Sequence, residues 1–377
     1  MYVWMIGKAI PTKKNNMYGS FEFEQALMLV RHGIKVVYIG LDFRPLNQLR
    51  KWGMRQLRKG DLVAYEYSLP IRPLPFIQRK VELFFCRKLY RKIEDIYGLP
   101  DVIHVHFPAI LNAPIHAEYK KRGVKIAATE HWTQVLKRKL SKKYLENLSW
   151  FAHHADTMIC VSEPLKKSVL ALTCTRNNIE VVPNIINHEF QYVPQEAKDK
   201  FTFVGVGRLV SCKRFDLMIN AFTKAFWGNN SVELLIIGDG EEYTNLKKQI
   251  ENLGMKKSIR LLGVLSRAET AKEVQKSDAL ICASNLETFG VPVIEAWACG
   301  KPVIGTDALG FLEYMNKNLG IIVETNNQEQ MIEAMKELYY KRNEFNGKQI
   351  SDFAMKHFSE TAIFAKLYNI YRNMIDG

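Results

Sequence analysis

The sequence predicts an α/β fold made of two doubly wound parallel sheets in tandem. Short runs rich in β-branched residues alternate along the chain with longer segments of helical periodicity, a pattern typical of βαβ units. Most of these short runs are apolar on both faces, as expected for strands that helices cover on both sides. A chain of 377 residues is also long for one hydrophobic core, which favours two domains.

Hydrophobic periodicity places the individual elements. The clearest helix of the first half covers residues 21–31, where Phe23, Ala26, Leu27 and Val30 fall on one face. The strands predicted in the first half are residues 3–6, 35–39, 63–67, 102–106, 125–129, 157–161 and 179–182. In the second half, strands are predicted over residues 201–206, 232–237, 259–262, 279–283, 302–305 and 320–323, with helices over residues 216–226, 243–253, 267–276 and 328–342.

The predicted domains are residues 1–190 and residues 201–358. The segment 191–200 contains a proline and has no apolar period, so it is interpreted as the linker. A third segment, residues 359–377, holds a last helix that we expect to fold back across the linker onto the first domain. Because ligands of such sheets bind beyond the carboxyl ends of the strands, functional residues are expected in the loops that follow strands, facing a cleft between the domains.

Composition narrows the functional classes. No apolar run reaches the roughly 18 residues that a membrane-spanning helix needs. Lysines follow the apolar first residues instead of preceding them, which is the reverse of a secretory signal. The six cysteines form no CxxC pair, which argues against a zinc site and against a disulfide framework. These features favour a cytoplasmic protein.

The formal charge of +14 is concentrated in the first half. Between residues 44 and 92, basic side chains outnumber acidic ones, and aromatic side chains such as Trp52 and Phe84 lie among them. A second basic run covers residues 137–143. Such a surface suits anionic lipid or nucleic acid, and the alternative is an ordinary solvated face.

The most specialised segment is residues 284–305, where Glu287 and Glu295 bracket a Phe-Gly-Val-Pro turn. Pro292 is predicted at the first position of a short helix, where its missing N–H costs nothing, and Gly300 is predicted to end that helix. Glu287 would then lie in the preceding loop and Glu295 in about the first turn. A helix N-terminus with a nearby glycine favours phosphate, and carboxylates accept hydrogen bonds from sugar hydroxyls. For either glutamate alone, a solvated or capping carboxylate is the alternative.

Two cations, Arg208 and Lys213, follow another predicted strand within residues 205–216. Negative charge grows on a diphosphate as it leaves, and such cations stabilise it. Taken alone, each could instead be ordinary surface charge. The turn at residues 238–240 is a weaker signal, as is the loop at residues 263–267, where backbone groups near Leu265 are a candidate contact for a nucleobase.

In this order and spacing, the segments GRLVSCKRFD, GDGEE and ETFGVPVIEAWACGKPVIG resemble the retaining glycosyltransferases of family 4, also called group 1. The resemblance covers essentially the second half. It implies the GT-B fold, with two Rossmann-like domains facing a central cleft. It also implies that Arg208 and Lys213 hold the diphosphate of a nucleotide sugar, that Glu295 holds the ribose, and that Glu287 is a catalytic residue on the donor sugar.

Further site residues follow from the same resemblance. The backbone of Phe289, Gly290 and Val291 would contact donor sugar and phosphate. His131 ends a predicted strand where the family carries a histidine near the reacting sugar, which implies a catalytic role. Gly19 is implied as a donor contact, although this chain has MYGS at residues 17–20 where the family often has a glycine pair. His104 and His106 share one strand face, and we interpret them as mainly structural.

The sequence therefore predicts a retaining hexosyltransferase that uses a UDP- or GDP-sugar. No Asp-x-Asp motif occurs, so metal-independent activity without a cofactor is expected, with the nucleotide sugar as substrate. The expected acceptor is a lipid-linked glycan in capsule or exopolysaccharide biosynthesis. The protein would then be peripheral on the inner face of an anionic membrane, and no nucleic acid partner is expected.

Other functions stay open. A sugar-nucleotide epimerase or a phosphorylase of GT-B fold would share the donor residues, but an epimerase would turn over without an acceptor. A module that binds membrane or nucleic acid through its basic face would explain the charge but not the second half. The paired glutamates alone could suggest glycoside hydrolysis, against which the phosphate-binding features argue.

Overall fold

A computed structural model describes residues 1–12, 19–44, 51–69, 75–111, 113–194, 198–308 and 310–377, without the side chains of residues 75–79. The chain divides into two compact units. One consists of Met1–Ile185 and Ile363–Gly377, and the other of Ile186–Ala362. The first transition lies five residues before the predicted end of the first domain at residue 190, and the second lies within the predicted last helix.

The first unit is built on a sheet in which the described strands number eight, in the order β3-β4-β2-β1-β5-β6-β7-β8. All neighbours pair in parallel except β3 and β4. Its elements are β1 (Tyr2–Gly7), α1 (Ser20–Arg31), β2 (Lys35–Asp42), β3 (Gly53–Lys59), β4 (Leu62–Ser68), α2 (Pro75–Tyr97), β5 (Val102–His106), α3 (Ala113–Lys120), β6 (Lys125–Glu130), α4 (Thr133–Leu136), α5 (Lys142–His154), β7 (Thr157–Cys160), α6 (Glu163–Thr173) and β8 (Ile179–Val181).

Strand β3 is absent from the sequence-based prediction. It lies at the edge of the sheet, pairs antiparallel with β4, and exposes most of its side chains. Because it buries no apolar face, its sequence GMRQLRK carries no core pattern that would reveal a strand.

The second unit contains a parallel sheet whose described strands run in the order β11-β10-β9-β12-β13-β14. Its elements are β9 (Phe201–Val206), α7 (Phe215–Phe226), β10 (Val232–Ile237), α8 (Tyr243–Asn252), β11 (Ile259–Gly263), α9 (Arg267–Lys276), β12 (Ala279–Cys282), α10 (Val291–Ala298), β13 (Val303–Thr306), β14 (Gly320–Val323), α11 (Gln328–Tyr340), α12 (Gly347–Phe358) and the start of α13 (Glu360–Asp376). The chain reverses its direction across the sheet between β9 and β12, which makes that point the topological switch where doubly wound sheets bind ligands.

The last helix, α13, packs mostly against the first unit. Its buried residues Ile363, Leu367, Tyr371 and Met374 recur at helical spacing and join the core around β1 and α1. Among the described residues, no helix is both long and apolar enough to cross a membrane.

Candidate functional site

The loops that follow β9 and β12 meet at the switch point of the second sheet. The backbone N–H of Asn285 donates to the carbonyl oxygen of Cys212 at 2.9 Å, which joins the two loops directly. On the other side, the N–H of Leu209 donates to the carbonyl of Asp239 at 2.9 Å, so the loop after β10 supports the loop after β9. Gly240 is required there because a Cβ atom would lie 2.4 Å from the Leu209 carbonyl oxygen.

Lys213 and Glu287 form an ion pair across this junction. Lys213 ends a short 3-10 turn after β9, and Glu287 lies in the loop between β12 and α10. Their side chains are 21% and 15% exposed, so the pair is partly shielded from water. Burial alone would lower the pKa of the Lys213 ammonium, but the Glu287 carboxylate outweighs burial and raises that pKa above its usual value. The sequence predicted both residues, but not their contact.

Arg208 lies in the same loop, two residues after β9. Its side chain is exposed, and within the described ranges it forms no ion pair. A guanidinium held by a fixed backbone and open to solvent is available to an anionic ligand.

Helix α10 begins one residue earlier than predicted, at Val291, so Pro292 is its second residue. The prediction that Pro292 opens the helix was wrong, because Gly290 takes the N-cap position in a left-handed conformation, with φ of 101°. A Cβ atom on Gly290 would lie 3.0 Å from the ring of Phe311, so glycine is favoured by backbone and packing alike. Phe289 is buried and anchors the turn. Pro292 has no N–H, and the Val293 N–H donates to the Gly290 carbonyl oxygen at 2.9 Å, which leaves the Val291 N–H as a donor without a partner earlier in the helix.

Glu295 is the fifth residue of α10, one turn inside the helix, and it is buried. Arg267, the first residue of α9, donates to both of its carboxylate oxygens, from Nη1 to Oε2 at 3.4 Å and from Nη2 to Oε1. Burial raises the pKa of Glu295, and the Arg267 guanidinium counters part of that rise. Arg267 also lies over the ring of Phe190, 4.8 Å from its centroid. The sequence assigned no role to Arg267.

Leu265 lies half-buried in the loop between β11 and α9, two residues before Arg267. Gly263, with φ of 71°, accepts a hydrogen bond from the Gly238 N–H at 2.8 Å. The loops after β9, β10, β11 and β12 therefore lie along one edge of the sheet. They carry Arg208, Lys213, Leu265 and Glu287, and α10 begins beside them.

His131 belongs to the first unit, directly after β6, and its side chain is 9% exposed. Its Nε2 lies 2.9 Å from Nδ1 of His106, and its ring packs 4.9 Å from Phe107. Burial lowers the pKa of His131 to about 3, with further contributions from the Lys8 and His104 charges, so its imidazole is neutral near pH 7.

Gly19 is the N-cap of α1, with φ of 82°. A Cβ atom there would lie 2.1 Å from the carbonyl oxygen of Ala9, so close backbone packing within the first unit requires glycine. The neighbouring Met17 and Tyr18 of the predicted loop lie outside the described residues.

Part of the predicted basic and aromatic surface lies on α2. A groove of about 550 Å³ runs along this helix, and it is lined by Phe84, Arg87, Lys88, Arg91, Lys92, Asp95 and Ile96. Phe84 is 62% exposed, and Trp52, beside the edge strand β3, is 61% exposed. Of the basic residues in the predicted run, Arg50, Arg72 and the Arg79 side chain lie outside the described part.

Comparison with known families identifies the fold and the class of enzyme. The family model described as "Glycosyl transferases group 1" matches residues 187–350, and that described as "Glycosyltransferase Family 4" matches residues 23–190. The chain belongs to the group 1, family 4 glycosyltransferases. The candidate site residues of the second unit, from Arg208 to Glu295, therefore lie within the group 1 match.

Curated relatives of this glycosyltransferase include two kinds of enzyme. The phosphatidylinositol N-acetylglucosaminyltransferase GPI3 subunit of Saccharomyces cerevisiae is 24% identical over 245 residues, 62% of this chain and 54% of the yeast protein. The N-acetyl-alpha-D-glucosaminyl L-malate synthase of Bacillus anthracis is 25% identical over 292 residues, 73% of this chain and 75% of that protein. The chain thus spans about half the length of the yeast relatives that it matches.

Solved structures share the fold. Sucrose-phosphate synthase from Thermosynechococcus elongatus superposes with a TM-score of 0.79 at 16% identity, covering 100% of this chain and 99% of the other. The lipopolysaccharide outer core galactosyltransferase WaaB superposes with a TM-score of 0.72 at 18% identity, covering 99% of each chain. HepE from Anabaena, solved with UDP and glucose, superposes with a TM-score of 0.71 at 14% identity, covering 99% of this chain and 100% of that one. These similarities establish the GT-B fold.

Proposed function

We propose that this glycosyltransferase moves a hexose-type sugar from a nucleotide diphosphate donor to an acceptor hydroxyl with retention of anomeric configuration. The observation that carries the proposal is the edge of the second sheet, where neighbouring loops bring together Arg208, Lys213, Glu287 and the N-terminus of α10, the helix that carries Glu295. Cations and helix N–H groups suit a diphosphate, and carboxylates suit sugar and ribose hydroxyls. The neighbours solved with UDP, HepE and S. aureus TarM, make UDP-sugars the first donors to test.

Each residue has a role in this proposal. Arg208, Lys213 and the first N–H group of α10 stabilise the charge that grows on the leaving diphosphate. Glu295 accepts hydrogen bonds from the ribose, the backbone near Leu265 contacts the base, and Glu287 accepts from the donor sugar. Lys213 is paired with Glu287 in the structure, so a bound donor would either contact both side chains of the pair or separate them.

Retention is proposed to arise from attack on the same face from which the diphosphate leaves. The bond between the anomeric carbon and the diphosphate oxygen breaks, and the acceptor oxygen bonds to that carbon. The acceptor proton passes to the departing phosphate oxygen, which is the strongest base formed at that face. No separate carboxylate nucleophile is required. Metal-independent catalysis is part of the proposal, because Arg208 and Lys213 supply the positive charge that a divalent ion would otherwise supply.

The first unit is proposed to select the acceptor, with His131 and Gly19 contacting acceptor or donor sugar. The groove on α2 combines exposed Phe84 and Ile96 with arginine and lysine side chains, which suits a lipid-linked glycan at an anionic membrane. Relatives named for phosphatidylinositol and for L-malate show that acceptors within this family differ widely. A lipid-linked acceptor in capsule or exopolysaccharide synthesis is our proposal for this chain.

Sugar transfer by the purified protein tests the proposal. UDP- and GDP-sugars are offered with lipid-linked acceptors in anionic vesicles, with and without EDTA, and the product anomer is determined by NMR. We expect an α-linked product from an α-linked donor, unaffected by EDTA, and at least tenfold slower transfer by Lys213→Ala and Glu287→Ala. Wild-type turnover by these variants would refute the site, and an inverted product would refute retention. Donor conversion without any acceptor would instead favour the epimerase.

A further inference from the structure

Three histidines of the first unit form a continuous buried ladder. Nδ1 of His104 lies 2.6 Å from the Tyr371 hydroxyl of α13, and its Nε2 lies 2.6 Å from the Thr129 hydroxyl of β6. The rings of His104 and His106 stack 4.4 Å apart, and Nδ1 of His106 lies 2.9 Å from Nε2 of His131. The ladder thus connects the core around α13 to the one histidine that the proposed function uses.

Only one proton can lie between His106 and His131. Burial is the main cause that lowers the pKa of each imidazole, so both rings are neutral near pH 7. If His106 donates from Nδ1, His131 carries its own proton on Nδ1. If His131 donates from Nε2, His106 carries its proton on Nε2. The two arrangements differ in which histidine holds an N–H without a partner, since His106 Nε2 and His131 Nδ1 are both buried and unpaired.

Burial decides between the two arrangements. His106 is fully buried, so an N–H on its Nε2 has no route to a partner, and an orphaned buried donor is unfavourable. Nδ1 of His131 is buried as well, but the residue is 9% exposed and lies directly after β6 at the end of the strand, so a ligand at this strand end can bring an oxygen to an N–H on Nδ1. The arrangement in which His106 donates therefore has the lower free energy.

We propose that His106 is a positioning residue that donates from Nδ1 to His131 and thereby holds His131 as the Nδ1–H tautomer, ready to donate to a sugar oxygen. The proposed role of His106 rests on the proposed function in one respect: the acceptor of the His131 hydrogen bond is taken to be a sugar oxygen. A histidine with only a structural role would not control which ring nitrogen of His131 carries the proton. His131 acts in this account as a neutral hydrogen-bond donor and not as a general base.

Histidine tautomers are read directly by ¹⁵N NMR of protein labelled in its nine histidines, with His131 assigned by the signals that disappear in His131→Gln. We expect the Nδ1–H pattern for His131 in the wild type. His106→Asn, whose amide nitrogen lies near the position of Nδ1, should retain it. His106→Leu should give mixed tautomers, with kcat lowered on the order of 10- to 100-fold and donor Kd unchanged.

His116→Leu is the matched control, because His116 is also buried in the first unit but pairs with Tyr90, outside the ladder. It should leave the His131 signals unchanged. An Nε2–H pattern for wild-type His131 would overturn the inference, and so would an unchanged pattern and kcat in His106→Leu. The spectra require no catalysis, so they can confirm the tautomer even if the protein transfers no sugar. Conversely, sugar transfer with an Nε2–H pattern for His131 would support the proposed function and overturn the role of His106.

Discussion

Arg267 at the start of α9 holds both carboxylate oxygens of Glu295, a glutamate buried one turn inside α10. Burial raises the pKa of Glu295, and Arg267 opposes that rise. The contact therefore favours the ionised form of a buried carboxylate, and an ionised carboxylate accepts hydrogen bonds from two adjacent hydroxyls better than a protonated one does.

Arg267→Met should weaken donor binding on the order of tenfold at neutral pH, because Glu295 loses its counterion. Since the pKa of Glu295 would rise further, the loss should grow as pH falls. Calorimetric titration with the donor at pH 8.5 and pH 6.5 measures both effects. Arg260→Met, which removes an exposed arginine from β11, is the control and should bind as the wild type does. Equal loss at both pH values would contradict the role given to Arg267.

Lys213 and Glu287 should show measurable coupling in the free protein, because their ion pair is partly shielded from water. Urea unfolding of Lys213→Met, Glu287→Gln and the double variant should give a coupling free energy on the order of 1 kcal/mol. The exposed Lys341–Glu337 pair at the C-terminal end of α11 provides the comparison, with coupling expected to be smaller. Additive effects at Lys213 and Glu287 would show that they do not interact in solution.

Gly290→Ala should destabilise the second unit more than Gly228→Ala does. Both glycines have positive φ, 101° and 76°, so both substitutions place a Cβ atom in the left-handed region at a cost of about 1–2 kcal/mol. Only Gly290 has a neighbour in the way, the Phe311 ring at 3.0 Å. Thermal unfolding measures the difference, and donor titration should show weaker binding for Gly290→Ala alone. Equal unfolding temperatures for the two variants would mean that the turn relaxes without cost.

Stability should fall as pH falls below about 6.5, because the buried histidines must be protonated on unfolding. Burial lowers the pKa of His104 and of His131 to about 3, below the value of about 6.5 in an unfolded chain. Protons therefore bind the unfolded state preferentially between pH 6.5 and 3, and each of these histidines lowers the unfolding free energy by about 2 kcal/mol at pH 5. Glu130, whose pKa burial raises to about 7, acts in the opposite sense and offsets part of the loss.

The contribution of His104 is isolated by comparing urea unfolding of the wild type and His104→Gln at pH 7.5 and pH 5. The difference between the two proteins should shift by about 2 kcal/mol in favour of the variant at the lower pH. A difference that stays the same at both pH values would mean that His104 takes up its proton as readily in the folded protein as in the unfolded one.

The sequence predicted those parts of the structure that carry a local signal. Buried strands such as β9 and β10 are predominantly apolar runs, and their predicted ends agree with the structure. The edge strand β3 buries no apolar face and gave no such signal. The start of α10 was misplaced because Pro292 is accepted at more than one position of the first turn, and the packing of Gly290 against Phe311 settles which one it takes.

Partnerships between distant side chains were harder to predict. Arg267 and Glu295 are 28 residues apart on different helices, and nothing local links them. The contact between His106 and His131 had a usable signal: β5 and β6 are neighbouring strands, with His106 paired to Thr129, and alternate residues share a face. That reasoning places His131 beside His106, but it does not supply the tautomer, which depends on burial.

The central claim is that the second unit binds a nucleoside diphosphate through Arg208 and Glu295. Calorimetric titration of the whole protein with UDP and with GDP tests it most directly, in the wild type, Arg208→Met, Glu295→Gln and the exposed control Arg342→Met. We predict saturable one-to-one binding of one of the two nucleotides, weakened at least tenfold by Arg208→Met and by Glu295→Gln and unchanged by Arg342→Met. Absence of binding to both nucleotides, or equal affinity in all four proteins, would contradict the claim.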